Sequence, residues 1–110
     1  MDLLTAARTC FPRDYAESRR RFLRAARAQG AALKSYVNPN RGPTGEVLAT
    51  DCAWLGSQKV RNVLVLISGT HGVEGFAGGG ALVDVLTTTP RLLRGLALLL
   101  VHAINPYGFA

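Results

Sequence analysis

The stretch VLVLISGTHGVEGFAGGG, Val63 to Gly80, decides how this chain is read. Val63 to Ile67 is an unbroken aliphatic run, the composition of a strand covered on both faces and therefore expected in the middle of a sheet. The run breaks into glycines at 69, 72 and 75, and His71 and Glu74 stand three residues apart just past the break. From Glu74 to Thr87, Phe76, Leu82, Val83 and Leu86 recur at helical spacing, and TTTP (Thr87–Pro90) closes the helix. A second fully apolar strand follows in GLALLLVHAINP, Gly95 to Pro106. Strand, helix and strand of these lengths make a right-handed βαβ crossover with a parallel pair.

Upstream, RDYAESRRRFLRAARAQG (Arg13–Gly30) reads as an amphipathic helix opened by an Asp14/Glu17 capping box and stopped at Gly30. Arg20, Arg21, Arg24 and Arg27 fall on one side of its wheel, and Tyr15, Phe22, Leu23 and Ala26 on the other. Arg19 projects from the apolar side, where its stem is expected to lie along the surface with the guanidinium in water. ALKSYVNP (Ala32–Pro39) is a strand ending at Pro39, NPNRGPTGE (Asn38–Glu46) a loop, and EVLATDCAWLG (Glu46–Gly56) a strand antiparallel to the first. The expected architecture is α/β: an antiparallel pair feeding parallel central strands in a mixed sheet.

A chain of 110 residues, 48% hydrophobic and 18% charged, suits one small globular domain. Its formal charge of +6 is local, because Met1 to Arg41 holds nine Lys and Arg against three acids while the remainder holds four against four. A charge run of this kind is ordinarily a solvated helix face, so no nucleic-acid partner is expected. Cys10 and Cys52 lack metal-type spacing and form no disulfide framework, which fits a reducing compartment. No secretory leader and no membrane-spanning run are read, and the expected location is cytoplasmic.

Ligands in open α/β sheets bind past the carboxyl ends of strands, where SGTHGVEG (Ser68–Gly75) lies. A phosphate loop needs GxxxxGK, yet no lysine follows Lys59; glycines at every third position do not spell GxGxxG; and Ser68 is not framed as GxSxG. What remains is His71-x-x-Glu74, two zinc-type ligands that a glycine-rich curl can bring to one cation. Equally, the pattern can be a loop histidine followed by a helix-start glutamate at the positive end of the dipole.

VLVLISGTHGVEGFAG (Val63–Gly78), LLLVHAINPYGFA (Leu98–Ala110) and GPTGEVLATDCAWLG (Gly42–Gly56) together resemble the zinc carboxypeptidase-like family described as domain of unknown function 2817, a bacterial branch of the carboxypeptidase A-type metallopeptidases. The resemblance runs from about Asp14 to Ala110. It implies an α/β/α sandwich, zinc held by His71 and Glu74, and Asn105-Pro106 as a turn near the active-site rim. His102, inside its strand, is expected to pack as a core histidine. The superfamily's substrate-gripping Asn-Arg segment, its third ligand, a histidine, and its general base, a glutamate, have no counterparts here. The triple glycine Gly78–Gly80 is also richer than the resemblance implies, and loosens a helix unless close packing holds it.

The expectation is therefore a single partial domain over residues 1–110, the N-terminal half of a zinc carboxypeptidase-like hydrolase. The full-length relative would act on a small peptide-like or amide substrate, and the fragment alone would be inactive. The alternative is a non-catalytic binding module that uses the basic helix. An incomplete sheet should also leave the last strand with a free apolar edge that invites self-association.

Overall fold

A computed structural model describes residues 2–88, 91–92 and 94–110. The elements are α1 (Leu3–Cys10), α2 (Tyr15–Ala28), β1 (Ala32–Arg41), β2 (Val47–Leu55), β3 (Asn62–Ile67), α3 (Glu74–Thr87), β4 (Leu96–His102) and the short α4 (Pro106–Phe109). The fold is mixed α/β, with four strands in the order β1-β2-β4-β3. β1 and β4 each pair antiparallel with β2, and β3 pairs parallel with β4 from Asn62·Leu96 to Ile67·Val101.

Alternation along the strands sends Leu33, Ala53, Leu55, Leu66, Leu98 and Leu100 to one face, where they pack with Cys10 of α1, Phe22, Ala25 and Ala26 of α2, and Leu82, Val83 and Leu86 of α3. The opposite face, carrying Val63, Val65, Ile67, Trp54 and Tyr36, has no helix against it among the described residues. Two of the sandwich's three layers are thus present. A smaller cluster of Tyr15, Leu48, Ala103 and Phe109, with Phe76 beside it, closes the end of the sheet where β3 and β4 finish.

Several expectations are corrected. β3 is an edge strand, and the inner place belongs to β4, which is paired on both sides; the free edge is therefore β3's and not the last strand's. Aliphatic composition records which faces want cover, and says nothing about which flank has a neighbour. β1 passes through Pro39 to Arg41, because its outer edge and the irregular register between Val37 and Arg41 tolerate a residue without an N–H. α1 was not anticipated; Asp2 caps it by accepting from Thr5 N at 2.7 Å. α3 ends at Thr87, and Thr89 and Pro90 of its expected stop lie outside the described residues.

Arg19 is the sharpest correction, since its guanidinium leaves water to grip Asp51. Its Nε and Nη2 donate to the two carboxylate oxygens at 2.7 and 3.2 Å, and Ser35 Oγ donates to Oδ1 at 2.5 Å. Asp51 is fully buried at an inward position of β2, where these partners replace the hydrogen bonds that water would make. Tyr15 straddles the Ala49 main chain, donating to its oxygen at 2.9 Å and accepting from its nitrogen at 2.8 Å. His102 is buried as expected, stacked on Phe22 with ring centroids 5.0 Å apart and bonded through Nε2 to Ser18 Oγ at 2.8 Å. Its Nδ1 finds no partner among the described residues. Burial pushes its pKa down to about 4, with Asp51 pulling upward and Arg19 downward more weakly.

The triple glycine has a packing cause. A Cβ at Gly78 would stand 2.9 Å from Ser68 Cβ, one at Gly79 2.5 Å from Ser18 Oγ, and one at Gly80 2.5 Å from the Phe11 ring. Side chains there would pry α3 from the sheet, from α2 and from the α1–α2 connection. The propensity cost is offset by contact.

Candidate metal site

β3 delivers its chain to the site through a tightly fastened turn. Ser68 N donates to Val101 O at 2.9 Å and its carbonyl accepts from Ile104 N at 2.9 Å, so the parallel pair runs past the formal strand ends. Gly69 then reverses the chain at φ +65°, where a Cβ would be 3.0 Å from Ala103 Cα. Ala103 itself has φ +54°, a left-handed conformation that swings β4's continuation back toward Gly69, whose oxygen accepts from Asn105 N at 2.9 Å.

This turn brings the two expected ligands together. His71 Nδ1 lies 3.1 Å from Glu74 Oε1, with both side chains open to solvent. Glu74 Oε1 also accepts from His71 N at 2.5 Å, and Oε2 accepts from Gly72 N at 2.8 Å. These backbone bonds, Gly72's first and His71's next, hold the carboxyl down to about 2, so it is an anion at every physiological pH. Glu74 therefore serves as the first-turn acid of α3 and as a neighbour of the imidazole at once; the helix-start reading and the ligand reading describe the same geometry.

Asn105 is the brace. Its Nδ2 donates to His71 O at 3.1 Å, while its Oδ1 caps α4 by accepting from Gly108 N at 3.0 Å. The Asn-Pro turn thus lies against the back of the His71 loop. Gly108 and Gly72 make that seam possible: a Cβ on Gly72 would sit 3.0 Å from Gly108 O. His102 lies inside the core and takes no part.

Two ligands each about 2.0–2.2 Å from a tetrahedral zinc stand roughly 3.4 Å apart, so a pair already 3.1 Å apart can meet one cation with little movement. The residues fit the ion. Among the described residues no group of three His, Cys, Asp or Glu converges on a common point, and the pair has no third protein ligand.

The fold is shared with two structures of Porphyromonas gingivalis glutaminyl cyclase, at TM-scores of 0.53 and 0.52 and 13% identity over 86% of this chain. A structure of Tannerella forsythia glutaminyl cyclase matches at 0.47 and 12% identity over 88% of this chain. The chain spans less than half the length of each: 44%, 46% and 42%. No curated protein matches it. Residues 11–110, all of the chain that follows α1, match the family described as protein of unknown function DUF2817, and the chain belongs to that family.

Proposed function

We propose that this chain is the N-terminal half of a carboxypeptidase-like hydrolase domain, that His71 and Glu74 are two of the protein ligands of its zinc, and that the complete enzyme cleaves an amide or peptide-like bond. The observation that carries the reading is the 3.1 Å approach of His71 Nδ1 to Glu74 Oε1 beyond the carboxyl end of β3. Sharing a fold with glutaminyl cyclases supports the position of such a site and not the choice of substrate. Both cysteines are free, which supports a reducing, cytoplasmic setting. No helix among the described residues is long and apolar enough to cross a membrane.

When bound, zinc polarises a carbonyl and acidifies water to a pKa near about 7. The chain's own residues do the positioning. Two main-chain N–H groups fix Glu74 as an anion, the Asn105 amide holds the His71 carbonyl, and the imidazole is left exposed to present Nδ1. A third ligand and a general base must come from further polypeptide, so this chain alone should bind zinc weakly and turn over little or nothing.

Calorimetric zinc titration of the 110-residue chain beside His71→Ala and Glu74→Gln tests the reading. Weak binding that falls about tenfold or more in each variant is expected. Equal affinity in all three proteins removes the metal site. Robust metal-dependent cleavage of a peptide library by the chain alone refutes its inactivity.

A further inference from the structure

The acids of the leading segment are all committed locally. Asp2 and Asp14 cap α1 and α2 by accepting from Thr5 N and Glu17 N, and Glu17 pairs with Arg13 and Arg21. Asp51 takes Arg19. Arg8, Arg20, Arg24 and Arg27 are left exposed, with no ion pair among the described residues; Asp84, the exposed acid of α3, pairs with none of them. On α2 the arginines at 20, 24 and 27 stand four and three residues apart, so three like charges share one solvent-facing stripe and repel one another.

The stripe borders a recess. Where α1, α2 and α3 meet, a groove of about 530 Å³ is lined by the buried Ala25 and Val83, by Ala28, and by Arg8 and Arg24. Arg24 also lines an adjoining hollow with Arg20 and Arg27, so free guanidiniums run from the groove along the outer face of α2. Arg21 lines both, but it is committed to α1 carbonyls and Glu17. α2 packs on α3, β1 and β2. Further polypeptide that extends the sheet would join at β3 and cover the bare face opposite, which leaves the arginine face outside that extension.

We infer that this face docks an acidic peptide segment of another protein, with carboxylates on Arg8, Arg20, Arg24 and Arg27 and one aliphatic side chain in the recess over Ala25, Ala28 and Val83. Charge complementarity selects an anionic partner, and a guanidinium fork takes a carboxylate through two parallel hydrogen bonds. The recess then selects among anions. A duplex or a bilayer surface meets the arginines and leaves the groove empty, whereas a segment carrying both features buries apolar surface as well as charge. This docking is independent of the metal.

Fluorescence anisotropy of the 110-residue chain tests the inference. The probe is a fluorescein-labelled peptide with one leucine between two pairs of glutamates, measured at about 50 and 300 mM salt. Saturable binding that weakens at the higher salt is expected. Arg24→Glu should raise the dissociation constant about tenfold or more, while Arg61→Glu, the same charge change outside the groove, should alter it less than about twofold. Glycine in place of the leucine should weaken binding about fivefold or more, as should Ala28→Gln, which fills the groove without changing charge. Both α2 substitutions are at exposed positions, and far-ultraviolet dichroism should be unchanged. No saturation by about 1 mM peptide, or equal losses from Arg24→Glu and Arg61→Glu, overturns the inference. So does indifference to both the leucine and Ala28→Gln, or tighter binding to a DNA duplex or phosphatidylserine vesicles than to the peptide.

Discussion

Lowering the pH from 7 to 4 should strip this fold of a stabilising contribution that resides in one imidazole. His102 is buried against Phe22, its Nε2 committed to Ser18 and its Nδ1 without a hydrogen-bond partner among the described residues. A proton added there would be buried without a partner, which is why the folded pKa falls to about 4 from an ordinary value of 6.5. Because the folded state binds this proton more weakly than the unfolded state, stability is at its full value above pH 6.5. It declines as pH falls through the interval down to about 4. At about 1.4 kcal/mol per pH unit, the interval corresponds to about 3 kcal/mol, a large share of the roughly 5–15 kcal/mol that holds a domain of this kind together.

The window can be separated from carboxylate effects. Glu17 and Glu74 are pulled down to about 2 by backbone hydrogen bonds, so whatever they contribute is lost only below pH 4.5. Urea melts of the wild type and His102→Gln at half-unit steps between pH 7.5 and 4.5 isolate the histidine, since the amide keeps a donor for Ser18 and does not titrate. The wild-type midpoint should fall with decreasing pH across that window while the variant's stays nearly level. Parallel curves, or a wild type that gains stability as the pH falls from 6.5, would refute the assignment.

Two further substitutions probe the packing. Arg19→Met leaves Asp51 buried with Ser35 as its remaining side-chain partner, and should cost about 2–3 kcal/mol in a denaturant melt; most of that should return when Asp51→Asn is added. Gly79→Ala, which improves helix propensity by about 1 kcal/mol in isolation, should instead destabilise by about 1–3 kcal/mol. Its Cβ meets Ser18 Oγ at 2.5 Å, and the penalty should shrink in a Ser18→Ala background.

The βαβ unit was legible because aliphatic runs and a 3.6-residue period are properties of single elements. So was the meeting of His71 and Glu74, since a three-residue spacing across a glycine-rich curl leaves few other arrangements. Sheet order was not, because Val63–Ile67 and Leu96–Val101 are equally apolar and only the second has strands on both flanks. The ion pair of Arg19 and Asp51 left two traces that were informative only together. One is a cation on the apolar side of α2, the other an acid between Ala49 and Ala53 at inward positions of β2. Each broke its own element's polarity pattern, and two such breaks are the signature of partners buried against each other. Gly78–Gly80 read as a weakness because its reason lies in Ser68, Ser18 and Phe11, remote in the chain.

Among the described residues, one guanidinium supplies the polar mooring of α1's C-terminal end to α2. Arg21 Nη1 donates to the oxygens of Arg8, Thr9 and Phe11 at 3.3, 2.6 and 3.2 Å, while Nη2 is steadied by Glu17 at 2.9 Å. Every amino acid carries the oxygen that positions 8, 9 and 11 contribute, so those letters can drift without loosening the joint. The codon for residue 21 specifies these polar contacts, and lysine, with one compact ammonium in place of a planar fork, would not substitute. Kinship among homologues in this leading segment would accordingly be recorded in α2, and not in the helix that is held.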